Sequence, residues 1–68
     1  MKLLDVVATI EDVPTANLLK GQVGTIVEEL SDEVVLVEFA DMNGVAYAIA
    51  PLAIGKLMEL RYTPAMVA

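Results

Sequence analysis

The chain contains neither cysteine nor histidine. Without thiols, no disulfide framework or thiolate metal site can supplement a core. Without imidazole, the usual general base near neutral pH and the commonest nitrogen ligand for zinc or copper are both missing. Cations are scarce too: four Lys and Arg stand against ten Asp and Glu, a net charge of −6. That field repels a phosphate backbone unless the cations gather on one face. Lys2, Lys20, Lys56 and Arg61 are instead scattered in sequence, and stacking aromatics are limited to Phe39, Tyr47 and Tyr62. Nucleic acid is therefore not an expected partner. The longest uninterrupted apolar run, Val45 to Ile54, is ten residues and contains Pro51. A bilayer requires about 20, so no membrane partner is expected. Asp5, Glu11 and Asp12 interrupt the apolar segment after Lys2, which is not the pattern of a secretory signal. A cytoplasmic location follows by default.

What is abundant is apolar material. Hydrophobic residues make up 57% of 68 residues, and the mean hydropathy is +0.68. A single domain of this size buries only about 60% of its unfolded surface. Some apolar surface should therefore lie against another chain, either a copy of this one or a different protein.

The stretch from Leu19 to Glu28, with glycines at 21 and 24, organises the reading. Gly21 after Lys20 marks a turn that needs positive φ. Gly24, inside an apolar run, marks a bulge or a place where another backbone lies close. Before it, Leu3 to Ile10 reads as a strand with Leu4, Val6, Ala8 and Ile10 on one face and Asp5, Val7 and Thr9 on the other. Pro14 makes the next segment a loop, with room for one helical turn at Thr15 to Leu19. Gln22 to Leu30 is a second strand, turned back at Ser31-Asp32. Glu33 to Asp41 is a third, with Val35, Val37 and Phe39 inward and Val34, Leu36, Glu38 and Ala40 outward. The outward Val34 and Leu36 imply a cover, supplied by a partner or by a segment of the same chain.

Asn43-Gly44 predicts a tight hairpin with positive φ at both positions. Val45 to Ala50 returns as a fourth strand. Its alanines at 46, 48 and 50 form either a smooth face for another surface or a tight corner of the domain. Pro51 is expected to stop that strand and to open a helical turn closed by Gly55. Lys56 to Leu60 is the fifth strand, and residues 61–68 are an apolar tail. The order predicts an all-β domain over residues 1–60, a small five-stranded SH3-like barrel with one short helical turn before the last strand.

Leu4-Asp5-Val6-Val7-Ala8, the run Leu19 to Glu28, and Val37-Glu38-Phe39-Ala40-Asp41 followed by Gly44 and Tyr47-Ala48 resemble a family of short, mostly bacterial proteins whose domain has no assigned function. The resemblance spans about Leu3 to Leu60. It implies an SH3-like barrel and carries over no active-site residues. Gly21 to Val27 is also loosely similar to the glycine motif of small barrels in ribosomal proteins and transcription elongation factors. Glu28, Glu29 and Glu38 stand where those carry a basic surface.

No enzymatic constellation is present. Asp5, Asp41 and Tyr47 carry acid or base groups, but no histidine, metal set or phosphate loop accompanies them. Glu28, Glu29, Asp32 and Glu33 surround one turn without the alternating ligands and glycine of a calcium loop, and read as a solvated tip. No cofactor is expected. The expected role is a non-catalytic protein-interaction module that binds itself or another protein through Val34, Leu36, Ala46, Ala48, Tyr62, Met66 and Val67. The alternative is an acidic antitoxin-like or immunity-like protein, its tip carboxylates steering a basic partner.

Overall fold

Where branched and aromatic residues alternate with polar ones, the chain extends. The computed structural model describes residues 1–61. Its strands are β1 (Val6–Thr9), β2 (Val23–Glu29), β3 (Val34–Ala40), β4 (Ala46–Ala53) and β5 (Leu57–Glu59). They pair antiparallel in one sheet of order β4-β3-β2-β1-β5. A 3-10 turn at Ile54–Lys56 carries the chain from β4 at one edge to β5 at the other. A second, Pro14–Ala16, sits in the first connection, and the Asn17 N–H closes it onto the Pro14 carbonyl from a left-handed backbone. Among the described residues, no helix is long and apolar enough to cross a membrane.

The core takes one face of this sheet. Val35, Val37 and Phe39 of β3 are buried as their alternation predicts. Ile26, Val37 and Ala50 form one inward row across β2, β3 and β4. Leu52 on one edge strand and Leu57 on the other belong to the same buried cluster, so the sheet curls around its centre. Leu18, from the first connection, is buried in that cluster as well.

Gly24 lies in the next inward row, paired with Val7 on one side and Phe39 on the other. A Cβ there would stand 2.7 Å from Val37 Cγ1, 2.8 Å from the Glu38 carbonyl oxygen and 2.9 Å from Phe39 Cδ2. Close backbone approach is thus the reason for this glycine. Gly21 has the expected positive φ of 85°, and its N–H donates to the Thr9 carbonyl at 2.8 Å.

Three local expectations are corrected, and the inward face of β1 is identified. In β1 the face of Val7 and Thr9 is the one turned to the core; on the other face Leu4, Val6 and Ile10 are exposed and Ala8 is buried. Three consecutive small or branched residues, Val6-Val7-Ala8, leave periodicity undecided, and the contacts of Thr9 decide it. Its hydroxyl donates to the Leu19 carbonyl at 2.7 Å and accepts the Gln22 N–H at 3.0 Å, which makes its burial affordable. At the β3–β4 hairpin only Gly44, not Asn43, has positive φ. Asp41 Oδ1 accepts the N–H groups of Asn43 and Val45, at 2.8 and 3.0 Å. The Asp41 N–H donates to the Val45 carbonyl at 2.9 Å, and the Gly44 N–H to the Asp41 carbonyl at 3.0 Å. The loop is therefore Met42-Asn43-Gly44, a type of connection that suits one left-handed residue.

Pro51 does not end β4, which runs on to Ala53. An edge strand has one unpaired side, where a missing N–H breaks no ladder. The helical turn expected from Pro51 to Gly55 consequently forms further along, at Ile54–Lys56.

Before β1, Leu4 takes φ 70° with its side chain largely exposed. Its N–H donates to the Ile26 carbonyl at 2.7 Å, holding the turn on β2. Replacing Leu4 by Gly removes a left-handed penalty of about 1 kcal/mol and should raise the midpoint of chemical denaturation. Gly24→Ala should lower stability by about 2–3 kcal/mol through overpacking, read from the same denaturation curves.

Candidate functional site

Alternation places the partners of the core residues on the sheet's outer side. Met58, Ala8 and Val23 form one outer row across β5, β1 and β2. Val6, Thr25, Glu38 and Ile49 form the next, across β1 to β4. Glu28, Leu36 and Pro51 follow, and then Val34 beside Ala53. Val6, Val23, Ile49 and Met58 are exposed, and Val34 and Leu36 are half-buried. The result is a largely apolar sheet face with Thr25 and the carboxylate of Glu38 side by side at its centre, and Glu28 toward one end.

The residues expected to make contacts fall in three places. Val34 and Leu36 belong to this outer face. Ala46 is exposed and pairs with Ala40, on the same side. Ala48 is corrected: it pairs directly with Phe39 and packs against the core. The register shift between Phe39 and Ala40 leaves Tyr47 as an extra residue in β4, which moves Ala48 onto the side of Phe39. Tyr62, Met66 and Val67 lie outside the described residues. Sequence reasoning missed Val6, Ile49, Pro51 and Met58. The register that reveals them depends on the Tyr47 bulge and on which face of β1 turns to the core.

The groups with acid or base character are engaged structurally. Asp41 holds the hairpin loop. The Tyr47 hydroxyl accepts Gln22 Nε2 at 2.8 Å, and the Tyr47 ring lies 6.4 Å from that of Phe39. The Lys2 N–H donates to Asp5 Oδ2 at 2.8 Å, and this bond above all holds the Asp5 carboxyl below its ordinary range. Glu28, Glu29, Asp32 and Glu33 are exposed around the β2–β3 turn, where Ser31 Oγ accepts the N–H groups of Glu33 and Val34. Among the described residues, no pocket is found and no group of acidic residues is placed to hold a metal ion. The ion pairs among them are Lys56 with Glu11 and Arg61 with Glu59. Neither reaches Glu38.

Over residues 3–59 the sequence matches a family described as a domain of unknown function, DUF4926. The chain belongs to the DUF4926 family. The matched segment ends on the last residue of β5, so the family's unit is the five-stranded sheet itself. No curated protein and no solved structure matches the chain.

The free edge of this DUF4926 sheet bears on how a partner could bind. The Ile54 N–H donates to the Glu33 carbonyl. By alternation, the backbone groups of Ile49, Pro51 and Ala53 then point away from β3. Pro51 leaves a gap in that row of donors, a known guard against edge pairing. Pro51→Val fills the gap. It should leave the denaturation midpoint within about 0.5 kcal/mol of the parent while raising thioflavin-positive aggregation on prolonged incubation.

Proposed function

We propose that the domain is a non-catalytic protein-interaction module, an SH3-like small barrel acting in the cytoplasm, which binds itself or another protein through the outer face of its sheet. The strand order, with β5 beside β1 after a single 3-10 turn, supports the barrel. The observation that carries the functional reading is the distribution of apolar residues. Sixteen large hydrophobic side chains among the described residues are exposed, against a core of ten buried hydrophobic residues. Several of the exposed ones lie together across the strands rather than singly, and contiguous apolar surface of this kind marks interaction sites. Pro51 turns that role from the edge of β4 to its face.

A second reading is an acidic antitoxin-like or immunity-like protein. It draws support from Glu28, Glu29, Asp32 and Glu33, all exposed and all outside the ion pairs formed among the described residues.

One pair of variants separates the two. Ile49→Lys and Met58→Lys change exposed positions and should each move stability by no more than about 0.5 kcal/mol. On the leading reading they abolish association, followed as particle mass by light scattering at high micromolar concentration and as retention of a partner on immobilised domain. On the second reading they leave binding intact, and replacing the tip carboxylates by Gln abolishes it. A monomer that retains no partner on its outer face would overturn the leading reading.

A further inference from the structure

We infer that the outer face is built for a different protein that presents a Lys or Arg flanked by apolar residues, the cation seating on Glu38. This rests on the outer-face reading above and specifies its partner. Glu38 stands at the centre of that face, between Thr25 on β2 and Ile49 on β4, and it is half-buried. Along β3 the next outward residue is Leu36. A carboxylate among apolar neighbours keeps its hydration while the face is open to water. Once covered, it becomes costly unless an opposite charge meets it.

None of this chain's four Lys and Arg stands in the outer rows. Lys56 is paired with Glu11 and Arg61 with Glu59. Lys2 precedes β1, and Lys20 lies in the loop before β2. Residues 62–68 contain no Lys or Arg. A second copy laid face to face would bring Glu38 and Glu28 of its own, and no Lys or Arg from its outer rows. The net charge of −6 opposes that approach as well. A basic, apolar segment meets both demands: its side chains cover Val6, Leu36 and Ile49, and its cation neutralises Glu38. Like-charge juxtaposition then excludes the copy, which is specificity by repulsion.

The test uses the full chain as bait for a displayed random-peptide library, with the recovered peptides titrated calorimetrically. The recovered sequences should share a Lys or Arg between apolar residues. Their affinity should weaken about tenfold with Glu38→Gln, fall as salt is added, and be lost with Ile49→Lys. Glu38→Gln should leave the thermal midpoint unchanged, which separates lost binding from lost folding. Recovered peptides that lack a shared cation, or that bind Glu38→Gln as tightly as the parent, would overturn the inference while leaving an apolar interaction face in place. Self-association that Ile49→Lys abolishes would overturn it in the same way, because a copy would then be the occupant. A monomer from which no peptide is recovered at the outer face would overturn both the inference and the reading beneath it.

Discussion

A side chain that is not there sets the centre of this domain. Gly24 is paired with Val7 and with Phe39, and the volume that any Cβ would fill is already occupied by Val37, Phe39 and the backbone of Glu38. The largest buried side chain, Phe39, can therefore lie over the middle strand rather than beside it. With that ring central, one small cluster can reach from Leu52 on the first edge strand to Leu57 on the last. A chain with no cysteine and no metal-binding side-chain set at its centre depends on such packing, because little else in 68 residues can offset the entropy of ordering it. Interiors packed at crystal-like density do not absorb an added methyl without displacing their neighbours.

The close approach has a consequence on the other side of the sheet. Fixing Phe39 inward fixes Glu38 outward, and the register then sets Glu38 between Thr25 and Ile49. The position of the lone central carboxylate on the apolar face is thus coupled to the packing beneath it. A one-residue slip of β3 would bury Glu38 and expose Phe39. The phase that folds the core is also the phase that composes the face.

The order of five short strands, the all-β class and the inward face of β3 were legible in the residues because they rest on period-two alternation and on Gly and Pro punctuation. What was not legible rests on contacts between segments. Val6-Val7-Ala8 carries no phase of its own, and the choice is made by Thr9 bonding to Leu19 and Gln22, well along the chain. Asn43-Gly44 is a strong local turn signal, yet Asp41 accepts two amides and selects a longer loop. Ala48 changed sides because Tyr47 is inserted opposite no partner, a feature that local propensity does not encode. Pro51 looked like a stop, and it is tolerated because β4 has an unpaired side. Two residues of the candidate face, Val34 and Leu36, came from alternation alone. Ile49 and Met58 required the register.

Charge and hydrophobicity are also sorted by position. The carboxylates concentrate in the connections: Glu11 and Asp12 before the first 3-10 turn, Asp32 and Glu33 at one hairpin, Asp41 at the other. The outer rows hold Val6, Val23, Leu36, Ile49 and Met58. A net-negative periphery repels copies at a distance comparable to the Debye length, about 8 Å at physiological salt. The same periphery attracts a basic chain over that range. Pro51 then acts at contact, where long-range charge no longer discriminates, by denying an incoming strand a continuous ladder on β4. Repulsion at range, a blocked edge and an unneutralised Glu38 on the open face each disfavour a different wrong partner. For the interaction proposed above, together they leave the face, approached by a cation, as the route of least electrostatic and hydrogen-bonding cost.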